Sequence, residues 1–167
     1  MISYVFGFFL LLIAFLVQIT LGSFLSIKGV QPDFILIVVA LSAFIEGPIN
    51  GAVSGFFGGL MLDLVSIRNL GLGALCKTLV GYFAGLVERT ILAENIILPM
   101  FAIFLATLVD RLIFTGVSFL LGGAYPFREV FWSQVIPTAI YNSLLVPLIY
   151  SGLLKLELFK KEHLSIR

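Results

Sequence analysis

The chain has 167 residues, of which 60% are hydrophobic and only 11% are charged. A soluble domain is nearer half apolar and a quarter charged, because much of the surface of a small globule faces water. The composition therefore excludes an ordinary soluble domain and favours an integral membrane protein, while a net charge of +1 gives no reason to expect a nucleic-acid partner. Apolar runs between turn signals predict a bundle of six transmembrane helices, at residues 4–25, 33–45, 49–65, 72–87, 96–121 and 130–154.

The first two predicted helices differ from ordinary spans. No Lys or Arg precedes the first helix and no small-x-small motif follows it, so we expect a retained span rather than a cleaved signal peptide. The second helix, residues 33–45, would be only ~20 Å long at about 1.5 Å per residue. It either extends into the preceding loop or forms a partial span that its neighbours cover.

Basic residues in the loops predict the orientation of the chain. With six spans, both termini share one face of the membrane. That face carries Arg89, Lys155, Lys160, Lys161 and Arg167, and the other carries Lys28, Arg68 and Arg128. The five basic residues on the first face against three on the other predict that both termini are cytoplasmic, with a cytoplasmic basic tail at residues 155–167. The length of the chain predicts a single integral membrane domain over residues 1–167.

Glycines recur every four residues in the third and fourth helices, and residues at this spacing share one helix face. The third helix carries Gly47, Gly51, Gly55 and Gly59, and the fourth carries Gly73, Gly81 and Gly85, with Lys77 in the same series. Glycine lets another backbone approach closely, which promotes helix association in lipid. Two interpretations follow: close packing within the bundle, or a docking groove for the membrane helix of a partner.

Four charged residues, Asp63, Lys77, Asp110 and Arg111, lie inside predicted helices. A charge within the bilayer costs ~3 kcal/mol or more, so it is normally paired or hydrated. Asp63 and Lys77 each lie seven residues from Leu70, where the chain turns between two helices. We therefore predict an ion pair between Asp63 and Lys77. Asp110 and Arg111 are adjacent and point in different directions, so each needs another partner, and Asp63 and Lys77 lie at a plausible height.

The sixth helix carries a polar stripe with the same four-residue spacing. Its members are Gln134, Thr138 and Asn142, and Pro137 and Pro147 are expected to kink the helix around them. Together with the four charges, the stripe places polar side chains in the outer half of the membrane. They form either a self-satisfied polar core that fixes helix register or a hydrated outward-facing cavity for a ligand or a partner segment.

The sequence offers little material for catalysis. It contains no HExxH, GxSxG, P-loop or CxxC spacing, a single cysteine, Cys76, and a single histidine, His163. We therefore predict no catalytic, cofactor-binding or metal site and do not expect an enzyme.

Five segments, taken in order, carry a resemblance to a known family. They are QPDFILI at residues 31–37, EGPINGA at 46–52, GFFGGLMLD at 55–63, LGLGA at 70–74 and VGYFAG at 80–85. This series resembles the rod shape-determining protein MreD family. The resemblance places the family's proline–aspartate pair on Pro32 and Asp33. It also places the family's glycine-rich helix and terminal aspartate on Gly51, Gly55, Gly59 and Asp63.

The resemblance implies a multi-pass protein of the bacterial inner (cytoplasmic) membrane, within the cell-elongation machinery that synthesises peptidoglycan. The partners it implies are MreC, which has a single membrane span, together with RodA, its transpeptidase and the actin-like MreB. The implied fold is similar to the six-helix substrate-binding subunits of vitamin-uptake (ECF-type) transporters.

Two functional hypotheses follow from these observations. The leading one is a non-enzymatic scaffold that docks the membrane helix of MreC through its glycine-lined helices. The alternative is a subunit that binds a vitamin-like small molecule or a lipid in an outward-facing polar cavity.

Overall fold

The computed structural model describes residues 2–66, 70–87, 96–122 and 126–164, with side chains for all of these except residues 2–6 and 153–164. The described ranges form six helices. The first five are α1 (Ile2–Leu21), α2 (Phe34–Glu46), α3 (Pro48–Ser66), α4 (Leu72–Gly85) and α5 (Ile97–Leu120). The sixth, α6, begins at Phe127–Val130, passes through a π-helical turn at Phe131–Val135 and continues as Ile136–Leu164. The six predicted helices are therefore confirmed.

The short helix α2 lies at the centre of the bundle, where it packs against α1, α3, α4, α5 and α6. The stretch from Ile35 to Leu41 is buried throughout. Its 13 residues give only ~20 Å of helix, less than the ~30 Å of a hydrocarbon core. Because the other helices surround α2 and separate it from lipid, it does not need to be long enough to cross the hydrocarbon core. This matches the predicted partial span.

Three helices in the described ranges are long and apolar enough to cross a membrane: Pro48–Ser66, Ile97–Leu120 and Phe127–Gly152. The other apolar helices are shorter, at Gly7–Leu21, Phe34–Glu46 and Leu72–Gly85. These lengths support a membrane protein. The predicted orientation depends in part on Arg68, Arg89 and Arg167, which lie outside the described residues, and stays a prediction.

The ends of α6 differ from the predicted boundaries. The helix begins at Phe127, just after Pro126, and continues to Leu164, although we predicted its end at residue 154 and a basic tail after that. No Gly or Pro follows Gly152, and the Leu, Lys and Glu residues there favour helix. The π-helical turn ends at Val135, two residues before Pro137, which has no N–H to continue a regular α-helix.

The glycine faces of α3 and α4 pack against each other. A side chain at Gly55 would overlap the carbonyl group of Lys77, and one at Gly51 would overlap the carbonyl oxygen of Gly81. Gly59 lies equally close to the backbone of Gly73 and Ala74, and Gly85 to that of Pro48. In the structure these glycines therefore pack within the bundle, and the two faces are not free for a partner's helix.

Gly47 does not belong to this contact surface, although its spacing suggested that it did. No atom lies within 4 Å of the position of a β-carbon there. Its φ of 89° falls in the left-handed region that favours glycine, and its N–H donates to the carbonyl oxygen of Ala43 at the end of α2. Gly47 therefore makes the reversal between α2 and α3.

Candidate functional site

Four charged side chains meet at the start of α2, and we call them the ion cluster: Asp33, Lys77, Asp110 and Arg111. The Lys77 Nζ atom donates to Asp33 Oδ2 at 2.9 Å and lies 3.7 Å from Asp110 Oδ1. The Arg111 Nη2 atom donates to the same Asp33 oxygen at 3.4 Å. Arg111 is 35% exposed, whereas the other three side chains are at most 6% exposed. Three charged side chains are thus held out of water by mutual pairing.

The predicted ion pair between Asp63 and Lys77 is wrong. Asp63 instead accepts hydrogen bonds from three backbone N–H groups at the start of α4. The donors are Gly71 at 2.9 Å, Gly73 at 3.2 Å and Ala74 at 3.0 Å. The first N–H groups of a helix have no partner within it and attract a carboxylate. Asp63 at the end of α3 satisfies them, which leaves Lys77 to pair with Asp33.

Asn142 is the member of the polar stripe that contacts the cluster. It is fully buried, and its Oδ1 atom accepts a hydrogen bond from the backbone N–H of Asp33 at 2.8 Å. Its Nδ2 atom donates to the hydroxyl of Thr107 at 3.1 Å, so one side chain joins α2, α5 and α6. Thr138 is buried, but Gln134 is exposed and lines a separate cleft beside Arg111. The predicted stripe is therefore split between the core and the surface.

Gln18 of α1 also forms hydrogen bonds with the backbone at the start of α2, as Asn142 of α6 does. Its Nε2 atom donates to the carbonyl oxygen of Pro32 at 2.9 Å, and its Oε1 atom accepts from the N–H of Phe34 at 2.8 Å. Asp33 caps the helix itself, because its Oδ1 atom accepts from the N–H of Leu36 at 3.0 Å. The proline–aspartate pair thus begins a helix inside the bundle. Side chains supply the hydrogen-bond partners that the first backbone groups of this helix would otherwise lack.

A cavity of about 430 Å³ lies beside the ion cluster. Its volume falls within the roughly 300–1,000 Å³ typical of small-molecule sites. All four members of the ion cluster line it, together with Gln18, Ile19, Ser23, Gln31, Leu62, Asp63, Val65, Ser66, Gly73 and Phe114. The polar residues had two interpretations, a self-satisfied polar core and a hydrated cavity. The structure contains both features side by side: an ion cluster that is largely self-paired and a cavity at its edge.

The described residues hold no group of three or more His, Cys, Asp and Glu side chains that could bind a metal ion. The interactions that the ion cluster makes beside the cavity are charge pairing and hydrogen bonding. The carboxylates of the cluster face an ammonium and a guanidinium group, and no nucleophile with an orienting base is placed among them.

We expect Asn142→Leu to lower the free energy of unfolding by about 1–3 kcal/mol, because it leaves the buried Asp33 N–H without an acceptor. The measurement is denaturant unfolding of the purified protein in detergent. Ile140→Leu, which changes an exposed residue on the same helix, is the matched control and should have little effect. Equal stability of the two variants would contradict the role given to Asn142.

The family model described as rod shape-determining protein MreD matches residues 1–157 of the chain. No curated protein and no solved structure matches the chain. The predicted similarity to the substrate-binding subunits of vitamin-uptake transporters therefore has no support from solved structures.

Proposed function

We propose that this chain, which belongs to the rod shape-determining protein MreD family, is a non-enzymatic scaffold of the bacterial cell-elongation machinery. Family membership and the long apolar helices support a membrane protein that helps to determine rod shape. In this proposal the chain lies in the inner membrane with both termini cytoplasmic. It binds the membrane helix of an MreC-like single-span protein, and RodA, its transpeptidase and MreB belong to the same assembly.

A groove between α1 and α3 is the observation that carries the docking part of the proposal. It measures about 260 Å³ and lies on the face of α3 next to the glycine face. Three half-buried polar residues line it: Glu46 at the end of α2, and Asn50 and Ser54, which lie four residues apart on α3. The remaining lining residues are Gly7, Phe8, Leu11, Val53 and Phe57. The groove thus combines small, aromatic and polar residues from α1, α3 and the end of α2.

This composition suits a second membrane helix better than it suits lipid. Polar side chains within a membrane usually face other protein segments, where they form hydrogen bonds between helices. Gly7 and Ser54 are small enough to admit a backbone closely, while Phe57 offers a large apolar surface at the edge. The docking surface therefore moves from the glycine faces, which α3 and α4 bury against each other, to this groove.

We expect Ser54→Phe to lower capture of the MreC-like protein of the same organism about tenfold or more, because it fills the groove and crowds the docked helix. The measurement is co-purification in detergent, with both proteins tagged. The matched control is Ser151→Phe, which adds the same ring at an exposed position of α6 and should capture normally. Both variants must elute as the wild-type protein does in size-exclusion chromatography. Wild-type capture by Ser54→Phe would contradict docking in the groove.

A second candidate function is the binding of a small molecule or a lipid. The cavity beside the ion cluster favours it, because its wall combines charged, polar and apolar side chains. This function does not compete with docking, since the groove and the cavity share no lining residue.

A further inference from the structure

The ion cluster leaves hydrogen-bonding capacity unused at the cavity. Asp110 Oδ1 is buried without a hydrogen-bond partner among the described residues, because the nearest cation, Lys77 Nζ, is 3.7 Å away. The Nε atom of Arg111 also has no partner within the described part of the chain. Native proteins rarely leave buried polar atoms unpaired. The terminal torsion of an aspartate is soft, so a small rotation would turn the free oxygen toward the cavity.

The balance of charge restricts which ligand fits. Two carboxylates, Asp33 and Asp110, face two cations, Lys77 and Arg111, so the cluster is neutral when all four are ionised. The nearby carboxylate of Asp63 already accepts three backbone N–H bonds. A zwitterion offers a donor to Asp110 Oδ1 and an acceptor to Arg111 Nε at the same time, whereas a simple ion of one sign can satisfy only one of these two atoms.

The position of the cavity favours a ligand that arrives from the membrane. Lys77 lies five residues, or about 7.5 Å, from the start of α4 at Leu72. The ion cluster is therefore within about two helical turns of the α3–α4 connection, and Ile19 and Val65 on the cavity wall are exposed at the surface of the bundle. The apolar part of the wall comprises Ile19, Leu62, Val65 and Phe114. These side chains suit the glycerol and upper acyl region of a lipid, and the charged residues suit its headgroup.

We propose that the cavity binds the headgroup of a zwitterionic lipid that carries a primary ammonium group, of the phosphatidylethanolamine type. The ammonium group donates a hydrogen bond to the Asp110 carboxylate, and the phosphate accepts from the guanidinium group of Arg111. A primary ammonium has N–H groups to donate, whereas the quaternary ammonium of phosphatidylcholine has none. The site therefore discriminates between two lipids of the same net charge. This inference rests on the second candidate function, lipid binding in this cavity, and is independent of partner docking.

The test measures lipid binding to delipidated protein in a non-ionic detergent by native mass spectrometry. The probes are dioctanoyl phosphatidylethanolamine, dioctanoyl phosphatidylcholine and soluble phosphoethanolamine. One molecule of the ethanolamine lipid should bind per chain, with an affinity about tenfold or more above that of the choline lipid. Equal affinity for the two lipids would overturn the proposal. Binding of soluble phosphoethanolamine as tight as that of the lipid would also overturn it, because the apolar wall would then contribute nothing.

Two kinds of variant locate the site. Asp110→Asn should bring the affinities for the two lipids close to equality, because the charged acceptor is lost. Val65→Trp narrows the cavity from an exposed position on its wall and leaves the ion cluster intact, so it should weaken lipid binding. This variant keeps the test decisive if Asp110→Asn protein does not fold. Its matched control is Leu64→Trp, the preceding exposed residue, which does not line the cavity. Val65→Trp protein that retains wild-type lipid binding would refute the assignment.

Discussion

Replacing Lys77 by methionine is expected to lower the free energy of unfolding by about 3–5 kcal/mol, because the buried carboxylate of Asp110 loses its cation and that of Asp33 keeps only Arg111. Both Asp33 and Asp110 depend on the Lys77 ammonium group, and neither is more than 5% exposed. The measurement is denaturant unfolding in detergent, with secondary structure and gel filtration as readouts. Lys28→Met, a change at an exposed lysine, is the matched control and should be close to neutral.

A double-mutant cycle separates the observed pairing from the pairing that sequence spacing suggested. Asp33→Asn combined with Lys77→Met should lower the free energy of unfolding by less than the sum of the two single losses. Each change removes the charge that the other change leaves unpaired. Asp63→Asn combined with Lys77→Met should be closer to additive, since Asp63 binds the start of α4. Coupling of Lys77 to Asp63 and not to Asp33 would contradict the structure.

The second large effect is expected at Gly55. Gly55→Ala should destabilise the protein by about 1–3 kcal/mol or more, because the new methyl group would overlap the Lys77 carbonyl group and push α3 away from α4. Gly55→Leu should prevent native packing altogether. The measurement is thermal unfolding in detergent together with the yield of monodisperse protein.

Gly116→Ala is the matched control for Gly55→Ala. Gly116 also lies inside a helix, yet no atom lies within 4 Å of its β-carbon position. The added methyl group should therefore be neutral or slightly stabilising, since alanine favours helix over glycine. Equal destabilisation by the two changes would contradict the close contact between α3 and α4.

Sequence patterning predicted the helices well because lipid imposes a simple requirement. Backbone polar groups must be satisfied within the membrane, so long apolar runs between turn signals become helices. Glycine spacing likewise predicted a contact face, because residues four apart lie on one side of a helix. The pattern did not identify what that face contacts. The answer depends on the partner helix, and here α3 and α4 contact each other through Gly51, Gly55, Gly59 and Gly81.

Asp33 was missed as a partner of Lys77 because the depth of Lys77 was compared only with that of residues in the third and fifth helices. Asp33 was interpreted only as the residue that begins the second helix. The short length of α2 was the signal that could have corrected this, because a central helix of 13 residues must begin below the surface of the bundle. Its capping aspartate is then buried and requires a cation. Gln18 and Thr107 had no distinguishing pattern, and only the packed structure shows their contacts with the start of α2 and with Asn142.

The measurement that tests the central proposal most directly is site-specific photo-crosslinking in living cells. A photo-reactive amino acid replaces Val53 on the groove wall and, in a second strain, Leu148 on the exposed surface of α6. If the chain is a scaffold that docks its partner between α1 and α3, the first position yields an adduct with the MreC-like protein and the second yields little. An adduct from Leu148 with none from Val53 would contradict the account.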